Sequence, residues 1–106
     1  MLSLTGVEGF EWDDGNAVKN AGKHGVSQRE AEEVFLNEPL VLEDSRHSKG
    51  EIRLHAFGET HSGRLLHVSF TLRRNGKAIR VISARPMSRK ERLRYAEAQA
   101  DAKISQ

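Results

Sequence analysis

Leu65-Leu66-His67-Val68-Ser69-Phe70-Thr71-Leu72-Arg73, followed after Asn75-Gly76 by Ala78-Ile79-Arg80-Val81-Ile82-Ser83-Ala84-Arg85, is the stretch that decides the fold. In the first run Leu66, Val68, Phe70 and Leu72 fall on one side, and His67, Ser69, Thr71 and Arg73 on the other. That is the period of a strand with one buried and one wet face. Asn-Gly is a strong hairpin signal, because it accepts the positive φ angles of a tight turn, so the second run returns as the antiparallel partner. Strict alternation sends Arg80 and Arg85 to opposite faces of that partner unless its end twists or bulges near Pro86.

The period of two continues upstream. Glu51-Ile52-Arg53-Leu54-His55-Ala56-Phe57 alternates, Leu40-Val41-Leu42-Glu43-Asp44 reads as a further strand, and Gly58 through Gly63 makes the turn into the central hairpin. Before residue 40 the period becomes helical. Ser27-Gln28-Arg29-Glu30 has the form of a capping box, Ala31, Val34 and Phe35 supply a buried stripe, and Pro39 ends the helix. Gly25, after Lys23-His24, stops an earlier helix that starts near Asn16 with Asp13 or Asp14 as its cap. Phe10-Glu11-Trp12-Asp13 reads as a brief first strand. Downstream, Pro86 ends pairing and Ser88-Arg89-Lys90-Glu91 repeats the capping box. The helix it opens carries Leu93, Ala96, Ala100 and Ile104 as an apolar stripe and frays beyond Ala102. The order β-α-α-β-β-β-β-α implies an α+β domain, with an antiparallel sheet packed against two N-terminal helices plus a C-terminal helix.

The 106 residues suit a single domain spanning 1–106. No cysteine is present, which excludes a disulfide framework, a thiolate nucleophile and a cysteine-based metal centre. No run reaches membrane-spanning length and the first residues do not read as a signal peptide, so a cytoplasmic bacterial protein is the default expectation. The net charge of +2 conceals an asymmetry. Residues 1–52 hold five Lys and Arg against eleven Asp and Glu, whereas residues 53–106 hold twelve against four. Such a split points to an anionic partner for the basic part, or else to pairing between the two halves.

If the wet face of the hairpin forms a groove, Arg53 and His55 on the preceding strand join it, and guanidinium groups there match phosphate oxygens bidentately. The plain alternative is a solvated sheet face. The five histidines show no metal-ligand spacing, so no metal is expected. His24 beside Lys23 reads equally as a dipole-favoured helix end and as a proton-transfer group, and Glu51 at the mouth of a strand is the best-placed carboxylate. Phosphate-binding loops, dinucleotide fingerprints and the nucleophile elbow of hydrolases are all missing.

Phe10-Glu11-Trp12-Asp13, Lys23-His24-Gly25-Val26-Ser27, Glu30-Ala31, Val34-Phe35, His47-Ser48, Glu51-x-Arg53, Gly63-Arg64, Thr71-x-Arg73, Ile82-Ser83-Ala84-Arg85 and Glu91-Arg92-x-x-Tyr95 occur in that order. Together they resemble the BrnT family of bacterial type II toxins over about residues 10–97. Ile52 stands where that family often has a second acidic residue, and Phe70 where it often has Tyr. The resemblance implies a RelE-like fold and a metal-independent, cofactor-free endoribonuclease that arrests translation. It also implies a cognate BrnA-type antitoxin that binds operator DNA. It assigns His24, Lys23, Glu51, Arg64, Arg80 and Arg85 to catalysis, and Arg53, Thr71, Arg73, Arg89, Arg92 and Tyr95 to RNA binding. On this reading the basic second half meets RNA, and the acidic first half belongs to the helices. The alternatives are a non-catalytic RNA- or ribosome-binding relative and, more remotely, a DNA-binding partner.

Overall fold

The computed structural model describes residues 4, 6–12, 15, 22–44 and 51–104. In chain order its elements are β1 (Gly9–Glu11), α1 (Gln28–Leu36), β2 (Leu40–Asp44), β3 (Arg53–Glu59), β4 (Leu65–Arg73), β5 (Ala78–Pro86) and α2 (Arg89–Ile104). Gly22–His24 are also helical, and Gly25 at φ +64° turns the chain out of that helix. The start expected near Asn16, its cap at Asp13 or Asp14, and His47 lie outside the described residues.

The strands form one sheet in the order β1-β5-β4-β3-β2. The four later strands pair antiparallel as their alternation requires. β1 is the exception: it lies parallel to β5, Phe10 opposite Ile79, so the sheet is mixed rather than wholly antiparallel. A three-residue strand carries no periodic signal that fixes its direction.

One face is apolar. Leu54, Ala56, Leu66, Val68, Phe70, Ile79, Val81 and Ala84 are buried there under Val26, Ala31 and Val34. Ser27 caps α1: its hydroxyl accepts from the Glu30 N–H while the Glu30 carboxylate accepts from the Ser27 N–H. Phe35 bridges helix and sheet, 4.9 Å from the Phe70 ring in a T-shaped contact and 5.6 Å from Phe10. Gly58 belongs to β3 and not to the following turn. A Cβ there would stand 3.2 Å from Val34 Cγ1 and 3.3 Å from Pro39 Cβ, so its lack of a side chain is what lets α1 settle on the sheet.

The other face is polar, and its layout depends on an irregularity in β5. Ser69 pairs with Ser83 but Phe70 pairs with Val81, which leaves Ile82 as an extra residue in a β-bulge. The bulge resets the alternation: Arg85 lies opposite His67, Arg80 lies opposite Thr71, and both project from the polar face. The opposite-face expectation for these two arginines is thereby corrected.

The hairpin turn occupies residues 74–77, with Arg74, Asn75 and Gly76 at φ 53°, 57° and 86°. α2 is capped by Ser88, whose hydroxyl accepts from the Glu91 N–H. Its expected apolar stripe is not buried: Ala96 and Ala100 are exposed and Leu93 is 59% exposed. Met87 and Tyr95 anchor the helix in its place.

Candidate active site

Cross-strand register arranges the polar face in rows, because partners share a side of the sheet. At one end Glu11, Arg80, Thr71, Arg53 and Asp44 stand side by side across all five strands. Ser83, Ser69, His55 and Leu42 form the middle row, and Arg85, His67, Phe57 and Leu40 the last. Arg80 and Arg85 are four β4 residues apart, about 13 Å along the strand.

The first row carries most of the charge. Arg73 Nη1 is 2.9 Å from Glu51 Oε1, a pair whose carboxylate side chain is half exposed. Thr71 is buried, and its hydroxyl donates to the Ile52 carbonyl at 3.0 Å, which holds the chain next to Glu51 against the sheet. Thr71 therefore positions this end of the face from within.

In the middle, His55 Nε2 lies 3.0 Å from Asp44 Oδ2, and His55 Nδ1 lies 2.8 Å from His67 Nε2 and 3.2 Å from Ser69 Oγ. His67 Nδ1 is buried and makes no hydrogen bond, with Glu91 Oε2 3.4 Å away. Burial pushes His67 down to about 4, helped by Arg85 and His55 and opposed by Glu91, so its neutral form is the stable one. The two rings link β2, β3 and β4, and the pair acts as a support for the face.

At the last row Arg85 grips Glu91 through two hydrogen bonds of 2.8 Å. Burial would raise the Glu91 carboxyl, but Arg85 and the Ser88 N–H hold it down at about 2. Arg89 and Arg92 are exposed on α2, Arg92 donating to the Met87 carbonyl at 2.9 Å. Tyr95 is 7% exposed, and its burial together with Glu59 raises its pKa. Its ring anchors α2 and borders an open pocket with Asn37, Glu59, Thr60 and His61.

Arg64 lies elsewhere, against the end of the helix that carries Lys23 and His24 and the start of α1. Arg64 donates to the Gly25 carbonyl at 2.7 Å and the His24 carbonyl at 3.5 Å, and pairs with Glu30 Oε2 at 3.1 Å. It thus ties the end of the first helix to the start of α1. The expected site residues accordingly fall into three groups: Glu51, Arg53, Arg73 and Arg80; Arg85 with α2; and Lys23, His24 and Arg64.

A family model described as the ribonuclease toxin BrnT of type II toxin–antitoxin systems matches residues 12–91. The chain belongs to the BrnT family. Membership makes it a ribonuclease toxin by class, with RNA as the target and an antitoxin as the partner. The crystal structure of the Brucella abortus ribonuclease toxin BrnT is similar with a TM-score of 0.57 and 24% sequence identity. That match covers 78% of this chain and all of the other, and it shows that the fold is shared. No curated protein matches the sequence. No helix among the described residues is long and apolar enough to cross a membrane.

The Asp44–His55–His67 network and the Glu11–Arg74 pair, 3.4 Å apart, were absent from the expected BrnT-type site. The first had a usable signal, since positions 55 and 67 share parity with the wet residues of adjacent strands. The second had none, because it depends on the parallel placement of β1.

Proposed function

We propose that this BrnT-family chain is a metal-independent endoribonuclease that arrests translation and is neutralised by a BrnA-type antitoxin able to bind operator DNA. The observation that carries this reading is the polar face on which the Ile82 bulge gathers Arg80 and Arg85 together with Arg53 and Arg73. RNA cleavage without a metal needs a base for the ribose 2′-OH, cations for the pentacoordinate phosphorane and a proton for the leaving 5′ oxygen. Glu51 is within the arginine row and half exposed, which suits it to take the 2′-OH proton. Arg73, Arg80 and Arg53 stabilise the phosphorane charge, and Arg85 with Arg89 and Arg92 receives flanking phosphates. The 2′ oxygen bonds to phosphorus as the bond to the 5′ oxygen breaks, the 5′ oxygen takes a proton from water, and the product is a 2′,3′-cyclic phosphate. Lys23 and His24 beside Arg64 form the competing proton-transfer group, on the other layer.

Incubating the protein with RNA in EDTA tests the reading. Cleavage giving cyclic-phosphate ends is expected, and Glu51→Gln slows it by about 10²–10⁴-fold with RNA binding retained. Full activity in Glu51→Gln with none in His24→Ala moves the reaction to the Arg64 layer. Intact RNA with retained binding overturns the enzyme reading in favour of a non-catalytic RNA-binding relative. Co-expression with a small protein encoded beside the gene, restoring growth, tests the antitoxin.

A further inference from the structure

Beyond the arginine row, where the ends of β1, β4 and β5 meet, lies an open cavity of about 500 Å³ lined by Glu11, Trp12, Arg73, Arg74 and Arg80. Its size falls in the range of about 300–1,000 Å³ typical of small-ligand sites. Three guanidinium groups and one carboxylate line this one cavity. Glu11 lies 3.4 Å from Arg74 and is 36% exposed. Arg73 Nε is buried with no hydrogen-bond partner, an orphan donor beside the cavity.

Two further features border the cavity. Arg74 sits at φ 53°, a left-handed conformation in which glycine would be unstrained, yet the position holds a long cation 72% exposed at the cavity. Trp12 packs against the edge of the core and its indole N–H donates to Glu32 Oε2 of α1 at 2.7 Å, which fixes the one aromatic residue that lines the cavity. Arginines that neutralise phosphate beside an aromatic side chain that receives a base are the pattern of single-stranded nucleic-acid binding.

We propose that this cavity is a nucleotide subsite, taking one unpaired RNA nucleotide with its phosphate among Arg73, Arg74 and Arg80 and its base against Trp12. The proposal rests on the ribonuclease reading for its ligand. Because Arg73 and Arg80 also serve the phosphorane and Arg73 pairs with Glu51, the phosphate held here is the scissile one, and the base against Trp12 helps to select where the strand is cut. Glu11 holds Arg74 ready in the empty subsite and yields it to the phosphate.

Trp12 is the only tryptophan in the chain, so its emission reports on this site alone. The full-length protein is titrated with a 2′-O-methyl hexaribonucleotide, which cannot be cleaved by 2′-OH attack, while binding is followed independently by polarisation of an end-labelled copy. The expected result is a saturable change in Trp12 emission that tracks binding and is not reproduced by inorganic phosphate. Arg74→Gly, which relieves the left-handed backbone, is expected to weaken binding about tenfold with an unchanged or higher thermal midpoint. Binding without an emission change, or wild-type affinity in Arg74→Gly, overturns the subsite. Such a failure alongside RNA cleavage in EDTA leaves the ribonuclease reading intact. Conversely, a responsive Trp12 with no cleavage of unmodified RNA removes the ribonuclease reading and retains the subsite.

Discussion

His67 shows how a single side chain couples the face to its surroundings. It stacks on Phe57 at 4.5 Å, hydrogen-bonds His55 on β3, and faces Arg85 on β5 and Glu91 on α2, with Asp44 on β2 behind His55. Its pKa falls from 6.5 to about 4 on folding, so the unfolded chain binds the proton more readily. Stability is therefore complete above about pH 6.5 and is lost as the pH falls towards 4. Glu91, lowered from 4.5 to about 2, adds a second loss in the window below that. The His67 contribution is on the order of 1–2 kcal/mol after solvent screening is allowed for. Denaturant melts across this range are expected to decline from pH 6.5 to 4, and His67→Gln to flatten that decline without altering the step below pH 4.5. An unaltered slope in His67→Gln assigns the effect to another group.

The elements differ in how openly the sequence declares them. β4 was readable to the residue, because nine consecutive positions alternate and both flanks carry turn residues. The capping boxes of α1 and α2 were equally readable, being local chemistry within four residues. The phase of β5 was not, although Val81-Ile82 is an apolar doublet in an otherwise alternating run and marks where the extra residue sits. The stripe on α2 misled because a helix of small apolar residues can bury an aromatic side chain in their place, here Tyr95. Gly58 shows the opposite case, a residue that reads as a turn former but works as a spacer between layers. Gly58→Ala is expected to cost about 1–3 kcal/mol through the clash with Val34 and Pro39, measurable as a lower thermal midpoint. A midpoint equal to that of the wild type would show that α1 can move aside.

Over the whole molecule, the two readings of the charge asymmetry prove to be compatible. Glu11, Glu30 and Glu51 from the acidic half pair with Arg74, Arg64 and Arg73 from the basic half. The acidic half is thus not confined to the helices, since Glu11 and Glu51 stand on the polar face itself. The composition of the candidate site was legible, since charge and family resemblance both pointed to these arginines. Its division into two layers was not, because the sequence spacing of Arg64 and Arg85 says nothing about which side of the sheet each serves. If Arg53, Arg73, Arg80 and Arg85 each meet a phosphate, the logarithm of the RNA affinity should fall with a slope of about −3 against the logarithm of salt. Between 50 and 200 mM salt this is a loss of about 50-fold, read by polarisation. A slope near −1 would indicate that only one of them does so.

The parallel pairing of β1 also sets an order of assembly. β1 pairs only with β5, and their partners are nearly 70 residues apart in the chain, Gly9 with Ala78. On the ribosome the N-terminal strand emerges early but has no docking edge until residues 78–80 have been made and have cleared the exit tunnel. Trp12 and Glu11 therefore reach Arg74 and Arg80 only after that point. A nascent chain therefore stays without this cavity until β5 has emerged and paired with β1.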